Sequence, residues 1–232
     1  MLDNSEKSSI KITEKNLNIK NGYKTTILMV RHGESLGNAN REFLGHTNKD
    51  LSPLGYKQAQ RTAESLSEFN IDAVYASDLI RAHNTALPHA ILRGMDVVDS
   101  VELREIYAGL WEGERVEDII EKYPSQFLDE WRAEFGICRI PGGESVPELA
   151  ERIYKEVYRI ASENINKTVL IGSHAAAIRA FFGRISGILP QKLADTIPFP
   201  TNASVSVVNF DGERLLPGIY SYDEHLSDLF EK

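Results

Sequence analysis

Short apolar segments that end in polar residues and continue into helical patterns occur three times in this chain. The apolar segments cover residues 27–30, 71–76 and 168–173. Bounded runs of this length are typical of buried strands, and strands that alternate with helices are typical of a parallel α/β sheet. The pattern therefore predicts an α/β fold in which the three strands belong to one sheet.

Basic side chains follow each of the three predicted strands. Arg31 and His32 stand at the end of the first strand, Arg81 in the first helical turn after the second, and His174 directly after the third. The carboxyl ends of such strands meet at one edge of a sheet, where α/β proteins bind their ligands. Arginine offers a charged fork for phosphate or carboxylate, and histidine offers a nucleophile, a base or a metal ligand. We predict one anion site; the alternatives are structural histidines and a surface Arg81 paired with Asp78.

The composition disfavours several classes of protein. Of the 232 residues, 42% are hydrophobic, which is enough for the core of one domain. The formal net charge of −8 argues against a nucleic-acid-binding protein, because such proteins usually have a basic surface. The longest apolar runs fall far short of the roughly 20 residues that span a bilayer, and the N-terminus has no apolar signal core. We therefore predict a cytoplasmic protein that binds neither nucleic acid nor membrane.

Three regions differ along the chain. Residues 1–22 are polar with scattered Ile and Leu, and we expect a flexible N-terminal arm there. Residues 23–232 are expected to form a single domain. Within it, residues 112–140 combine helical patterns with aromatic side chains. Such a long connection between core elements predicts a helical cap over a pocket, with an ordinary peripheral helix pair as the alternative.

Metal and disulfide chemistry have little support in the sequence. Cys138 is the only cysteine, so neither an intrachain disulfide nor a cysteine-rich zinc cluster can form. Apart from the pair His83 and His89, the histidines do not stand at short ligand spacings. We therefore predict no metal site.

Six motifs follow one another along most of the chain. They are Arg31-His32-Gly33-Glu34-Ser35 with Asn38 downstream, Leu51-Ser52-Pro53-Leu54-Gly55, Ser77-Asp78-Leu79-Ile80-Arg81-Ala82, Leu103-Arg104-Glu105, Pro141-Gly142-Gly143-Glu144-Ser145 and Gly172-Ser173-His174. In this order they resemble the histidine phosphatase superfamily, which has the phosphoglycerate mutase-like fold. The resemblance implies a three-layer α/β sandwich with a mostly parallel central sheet and helices on both faces. It also implies that residues 23–232 are one catalytic domain of this type.

The resemblance implies a phosphohistidine mechanism that needs neither a metal nor an organic cofactor. His32 would attack phosphorus and form a covalent phosphoenzyme. Arg31, Arg81 and His174 would hold the phosphoryl oxygens, and Asn38 would add a neutral donor. These five residues are the predicted phosphate site.

Glu105 is the predicted general acid, which would protonate the leaving alkoxide and then activate water. To donate this proton near neutral pH, Glu105 must be protonated before the reaction. We expect burial near Tyr107 and Trp111 to keep it protonated. The alternative for Glu105 is an ion pair with a neighbouring arginine, Arg104 or Arg31. Two further substrate contacts are predicted, Gly45 and Tyr107.

Three functions are compatible with these residues. They are a cofactor-independent phosphatase of small phosphomonoesters, a 2,3-bisphosphoglycerate-dependent phosphoglycerate mutase, and a non-catalytic module that binds phosphorylated ligands. A mutase needs cations for a second phosphate, whereas residues 109–114 are acidic and aromatic, so we predict the phosphatase, with a small phosphorylated metabolite as its partner. The basic residues Arg115, Lys122, Arg132 and Arg139 leave the mutase open.

Two further points concern the pocket and the assembly. Ala175 stands where members of the superfamily commonly carry glycine, and its methyl group predicts a slightly narrower pocket that still retains His174. The sequence leaves the oligomeric state open, and a homodimer is compatible with it.

Overall fold

The computed structural model describes residues 11–19 and 22–230. The strands in this part of the chain are β1 (Thr25–Arg31), β2 (Glu42–Phe43), β3 (Ala73–Ser77), β4 (Val97–Ser100), β5 (Glu114–Arg115), β6 (Lys167–Ser173), β7 (Val205–Phe210) and β8 (Leu215–Pro217). Six of these described strands form a central sheet in the order β4-β3-β6-β1-β7-β8, and β2 pairs with β5 in a separate ribbon. The pairs among β4, β3, β6 and β1 are parallel, and β7 and β8 are antiparallel additions at one side. The three predicted strands are confirmed as neighbours in one sheet.

Helices cover both faces of this sheet. They are α1 (Leu36–Ala39), α2 (Pro53–Ser65), α3 (Ile80–Ile91), α4 (Val116–Lys122), α5 (Val146–Glu163), α6 (Ala175–Ile185), α7 (Leu193–Thr196) and α8 (Ser227–Phe230). Short 3-10 turns lie at Val101–Leu103, Gly109–Trp111, Phe135–Ile137, Pro190–Lys192 and Glu224–Leu226, and Gln126–Ala133 is a π-helical segment.

The side chains of β1 alternate between two hydrophobic clusters. Ile27 and Met29 join the cluster that contains residues of α5 and α6, whereas Leu28 and Val30 join the cluster that contains residues of α3 and Leu66 at the end of α2. Successive side chains of a strand point to opposite faces of the sheet. The central strand is therefore buried on both faces, and the predicted three-layer sandwich is confirmed.

The parallel pairing of β1 with β6 fixes the relative position of the motifs that contain His32 and His174. Arg31 lies opposite Ser173, and the His32 N–H donates to the Ser173 carbonyl at 2.9 Å. His32 and His174 each follow directly after their strand. The register therefore places the two histidines side by side at the same edge of the sheet.

The sequence predicts helix starts at Ser52-Pro53, at Ser77-Asp78 and at Ser145 with Glu148, and the structure confirms the first and the third. Ser52 caps α2 with Pro53 in the first turn, and Ser145 caps α5 in a reciprocal capping box with Glu148. Ser77 and Asp78 were expected to cap the following helix, but α3 begins after Leu79 without a side-chain cap. The Asp78 carboxylate is instead bound by both arms of the Arg104 guanidinium.

Part of the predicted N-terminal arm is packed against the domain. Residues 1–10, 20 and 21 lie outside the described part of the chain. Residues 11–19 depart from the expected flexible arm because Ile12 and Leu17 are buried in the cluster that contains Leu28 and Val30. The Ile12 N–H also donates to the carbonyl of Ser65 at the end of α2. The scattered apolar residues of this segment therefore serve as anchors.

An aromatic cluster occupies the segment 112–140, which is predicted to form a helical cap. Trp131 lies in the π-helical segment, with its ring centroid 5.0 Å from those of Phe43 and Phe135 and 6.0 Å from that of Phe199. Trp131 and Phe199 both line the cavity at the strand edge. The segment thus contributes a wall to this cavity.

No helix among the described residues is long and apolar enough to cross a membrane.

Candidate active site

A cavity opens at the carboxyl ends of β1, β3 and β6. Its lining residues in the described part of the chain are Arg31, His32, Asn38, Glu42, Phe43, Leu44, Gly45, Arg81, Glu105, Ile106, Trp131, Ala175, Ala176 and Phe199. The floor comes from the strand ends and the walls from segments far apart in sequence. Most of the residues predicted for the phosphate site therefore meet in one place.

His32 is held with one ring nitrogen engaged and the other available. Its side chain is only 4% exposed, and Nδ1 lies 2.6 Å from the carbonyl oxygen of Gly33. A carbonyl oxygen can only accept, so Nδ1 carries the proton and Nε2 presents its lone pair. Burial, followed by the charges of Arg81 and Arg31, lowers the pKa of His32 well below 6.5. The imidazole is therefore neutral at physiological pH, as a nucleophile requires.

His174 lies beside His32 and has no internal partner. The two ring centroids are 5.2 Å apart, and His174 is fully buried. Neither of its ring nitrogens has a hydrogen-bond partner among the described residues. Burial, together with the charge of Arg81, also lowers its pKa well below 6.5. His174 is not among the described lining residues, but its ring packs on that of His32, which lines the cavity, and its unused nitrogens suit a ligand bound beside His32.

Arg81 is buried and is held by backbone carbonyls. Its side chain is 1% exposed, and it donates to the carbonyls of Gly45 at 2.8 Å and Thr47 at 2.9 Å. Its Nε has no partner among the described residues. The alternative of a surface arginine paired with Asp78 is wrong, because Asp78 binds Arg104. Both carbonyls are neutral, so these hydrogen bonds do not neutralise Arg81, whose positive charge can attract an anion.

Arg31 provides the second cation of the cavity. Its Nη1 donates to the Pro200 carbonyl at 2.5 Å, while its Nε has no partner in the described part of the chain. Burial lowers the pKa values of both Arg31 and Arg81 to about 10, and the nearby carboxylate of Glu105 opposes this shift in each. Both guanidinium groups therefore remain charged at neutral pH.

Asn38 stands at the third position of α1, within a capping box. Its Oδ1 accepts from the Ser35 N–H at 3.1 Å and from the side chain of Asn202 at 3.4 Å. The amide NH₂ is the part of the side chain left for the cavity that Asn38 lines. This arrangement fits the predicted neutral donor.

Glu105 lines the cavity with its carboxylate at the N-terminus of α6. Its two oxygens accept from the N–H groups of Ala176 at 3.1 Å and Ala177 at 3.0 Å. The alternative of an ion pair with Arg104 or Arg31 is not observed, because Arg104 binds Asp78 and no salt bridge joins Glu105 to Arg31 among the described residues. The carboxylate is thus fixed beside the residue that follows His174.

Gly45 and Tyr107, the two further substrate contacts predicted from the sequence, differ in their position relative to the cavity. Gly45 lines the cavity, and its carbonyl also holds Arg81. Tyr107 is absent from the described lining, is 47% exposed, and packs on His46 with ring centroids 5.4 Å apart. The expected burial of Glu105 by Tyr107 and Trp111 is likewise not seen, because the Trp111 ring lies within the aromatic cluster. Ile106, rather than either ring, lines the cavity next to Glu105.

Several lining residues could not be found from the sequence. Glu42 and Phe43 come from the short strand β2, and Phe199 from the connection before β7. Asn202 lies behind the site and donates to the backbone carbonyl of His32 at 3.0 Å. None of these positions follows a strand directly, so the pattern that revealed the histidines has no counterpart there.

The described residues contain no group of three or more His, Cys, Asp or Glu side chains arranged to hold a metal ion. His83 and His89, the pair closest in sequence, do not share a site. His83 binds Asp99 at the surface, whereas His89 is buried within the domain.

Comparisons with known proteins agree with this geometry. A family model described as histidine phosphatase superfamily (branch 1) matches residues 27–217. Phosphoserine phosphatase 1 of Hydrogenobacter thermophilus is 33% identical over 189 residues, covering 81% of this chain and 88% of the relative. The metal-independent phosphoserine phosphatase of Arabidopsis thaliana is 32% identical over 207 residues, covering 88% of this chain and 84% of the relative. The structure of a mycobacterial glucosyl-3-phosphoglycerate phosphatase has a TM-score of 0.77 at 25% identity, covering 85% of this chain and 99% of that one.

Proposed function

The chain belongs to the histidine phosphatase superfamily (branch 1), and from this premise we propose that it hydrolyses small phosphomonoesters through a phosphohistidine on His32. It is a phosphatase, a phosphoric monoester hydrolase, like the relatives that it resembles. One observation carries the mechanism: a neutral histidine whose Nδ1 is engaged by a carbonyl lies close enough to the guanidinium groups of Arg81 and Arg31 for both charges to lower its pKa. This is the environment that a nucleophilic imidazole needs in order to attack a phosphate dianion.

In the first step, Nε2 of His32 attacks phosphorus in line and the bond from phosphorus to the ester oxygen breaks. Arg31, Arg81 and His174 hold the non-bridging oxygens, and Asn38 donates from its amide. The unpartnered nitrogens of the arginines and of His174 support this assignment, because they are the donors left free by the fold. The alkoxide that departs takes its proton from Glu105.

In the second step, water attacks the phosphohistidine from the side that the alcohol has left. Glu105, now ionised, takes the proton of this water, and the bond between Nε2 and phosphorus breaks to release inorganic phosphate. The hydrogen bonds from the N–H groups of Ala176 and Ala177 suit this second role, because they hold an ionised carboxylate in place between the two steps.

We propose phosphoserine as the substrate class to test first. Two relatives with more than 80% coverage of this chain are phosphoserine phosphatases, and one of them is metal-independent. The mutase alternative is not favoured. Among the described lining residues, Arg31 and Arg81 are the only arginines or lysines, and both are needed by the reacting phosphate. A second phosphate would meet Glu42 instead of a cation.

The reaction can be tested with purified protein in the presence of a chelator. Phosphomonoesters, phosphoserine among them, are assayed for phosphate release, and 3-phosphoglycerate with a trace of 2,3-bisphosphoglycerate is assayed for isomerisation. Phosphate release without isomerisation is expected. Isomerisation without release would establish the mutase, and silence in both assays would establish a binding module.

The nucleophile is tested by His32→Ala. Removal of the attacking nitrogen is expected to lower kcat by on the order of a thousandfold or more and to abolish acid-labile phosphate labelling of the protein. His83→Ala is the control, because His83 is at the surface and binds Asp99. Labelling that survives in His32→Ala would exclude this assignment.

The remaining expectations stay predictions. They are the cytoplasmic location, the homodimer and the lack of nucleic-acid binding.

A further inference from the structure

We propose that Glu42 selects substrates whose leaving group carries a primary ammonium. This inference rests on the proposed function and concerns the part of the same cavity that receives the alcohol side of the ester. The first support is the position of the residue. Glu42 belongs to the ribbon β2-β5, outside the main sheet, and lines the same cavity as the residues at the strand ends.

The Glu42 carboxylate is held in place without being fully used. Its side chain is 13% exposed, and Lys49 Nζ lies 2.5 Å from Oε2. No partner for Oε1 is seen among the described residues. Lys49 does not line the cavity and is more exposed than Glu42, so its charge sits on the solvent side of the pair. One carboxylate oxygen therefore remains as an acceptor for a ligand.

The charges of the cavity make an acid at this position unexpected for an anion site. The two arginines and the neutral histidines match a phosphate dianion, and the described acids of the lining are Glu42 and Glu105. Glu105 is occupied at the N-terminus of α6. An acid that faced only a phosphorylated anion would weaken binding through repulsion. A substrate with an ammonium group turns the same charge into a favourable contact.

The rest of the wall suits a short leaving group. Phe43, Trp131 and Phe199 are aromatic neighbours of Glu42 in the lining and supply few hydrogen-bonding groups. In such surroundings one charge-assisted hydrogen bond dominates the discrimination between similar ligands. The Glu42 oxygen is the polar group of this wall that an ammonium would find.

The test uses two pairs of substrates that differ only in the ammonium. Phosphoserine is compared with 3-phosphoglycerate, in which a hydroxyl replaces the amino group, and phosphoethanolamine is compared with 2-hydroxyethyl phosphate. The second pair lacks a carboxylate, so it isolates the effect of the ammonium. The wild-type protein is expected to prefer the amino member of each pair in kcat/KM. Glu42→Gln is expected to reduce each preference by about tenfold or more, because the amide keeps the shape and loses the charge.

Two controls separate recognition from structure. Glu114→Gln removes a carboxylate of the partner strand β5 that binds Lys122 and does not line the cavity, and it is expected to leave both preferences unchanged. Lys49→Gln removes the partner of Glu42 but keeps its charge, and it is expected to retain or increase them. A loss of preference in Lys49→Gln would overturn the proposal, because the ion pair itself would then be responsible.

The outcomes also separate this inference from the proposed function. Equal kcat/KM values within each wild-type pair, or an equal fall for both members in Glu42→Gln, would overturn the role of Glu42 while the phosphatase stands. No phosphate release from any of the four compounds or from p-nitrophenyl phosphate would overturn the phosphatase itself.

Discussion

Several side chains of this site have buried hydrogen-bonding atoms that the fold leaves unused. Both ring nitrogens of His174 and the Nε atoms of Arg31 and Arg81 are buried and without partners among the described residues. An unsatisfied buried polar group costs about 1–3 kcal/mol, so a fold rarely keeps several of them in one place without a ligand. A bound phosphoryl group would satisfy these groups together, which is why we assign them to the anion.

The Gly45 carbonyl is expected to control the position of Arg81. Gly45 has a φ of +50°, and a Cβ there would lie 2.2 Å from Glu112 Oε1 and 2.5 Å from the Ala108 Cβ. Gly45→Ala is therefore expected to displace the carbonyl that accepts from Arg81 and to lower kcat/KM by about tenfold, with a loss of about 1–3 kcal/mol of stability. Steady-state kinetics with thermal unfolding checks both effects.

A matched control for this substitution exists at Gly94. Its φ of +63° is similar, but a Cβ there would meet nothing within 4 Å. Gly94→Ala bears the backbone strain without the collision, so its activity is expected to remain that of the wild type. Equal losses of activity in the two variants would show that backbone strain alone, and not the position of Arg81, explains the result.

Contacts between elements place the proposed acid. Arg152 of α5 binds both carboxylate oxygens of Glu144 and donates to the backbone carbonyls of Glu102, Arg104 and Glu105. One guanidinium thus ties a long helix to the turn that carries Glu105. The carboxylate is then held from the other side by the start of α6. The position of Glu105 results from two helices that are remote from it in sequence.

Replacement of Arg152 is expected to disturb catalysis more than binding. Arg152→Met removes the donors to the Glu105 carbonyl, and kcat is expected to fall by about tenfold while KM changes less, because the acid acts mainly in the transition state. Arg152→Lys is expected to restore little, since an ammonium lacks the planar fork that binds Glu144. Kinetics on one phosphomonoester measures both quantities.

Arg159 offers the control on the same helix. It binds Glu156 and Glu163 along the surface of α5, and no hydrogen bond joins it to residues 102–105 in the described part of the chain. Arg159→Met is expected to leave kcat unchanged. If it lowered kcat as much as Arg152→Met does, the effect would arise from the stability of α5 and not from the position of Glu105.

The domain as a whole carries buried neutral histidines besides those of the site. Burial is the first cause that lowers the pKa of His89 from 6.5 to about 3 and that of His225 from 6.5 to about 4. The unfolded chain binds protons near pH 6.5, whereas the folded chain does not. Stability from these groups is therefore complete above pH 6.5 and is lost progressively as the pH falls towards the folded values.

The expected consequence is a steep loss of thermal stability on mild acidification. Between pH 6.5 and pH 5 the Tm of the wild type should fall, and His89→Gln should show a shallower slope because its buried side chain cannot take up a proton. His32, His174 and His225 still contribute, so the slope is reduced and not abolished.

The readout is the slope of Tm against pH, which is separate from any constant loss of stability caused by the substitution. His83→Gln is the control, because His83 is at the surface and binds Asp99. His225→Gln serves as a second buried variant. Slopes identical to that of the wild type in both buried variants would contradict the assignment.

The sequence by itself determined the parts of this protein that depend on neighbours along the chain. Apolar segments marked β1, β3 and β6, and Ser52 and Ser145 marked helix starts, because strand burial and helix capping are decided within a few residues. His32, Arg81 and His174 were predicted for the same reason, since each follows a strand or begins the next helix, whereas Glu105 was predicted from the resemblance to the superfamily. The parallel register then made their meeting a geometric necessity.

The tertiary structure alone decided what surrounds that centre. The Arg104 partner of Asp78, the burial of Ile12 and Leu17, and the exposed position of Tyr107 were not predicted from the sequence, because each depends on a surface contributed by a distant segment. The substrate side of the cavity is the clearest case. Glu42, Trp131 and Phe199 stand far apart in the chain and share no periodicity, and only the packing of the ribbon and the aromatic segment against the sheet edge brings them together.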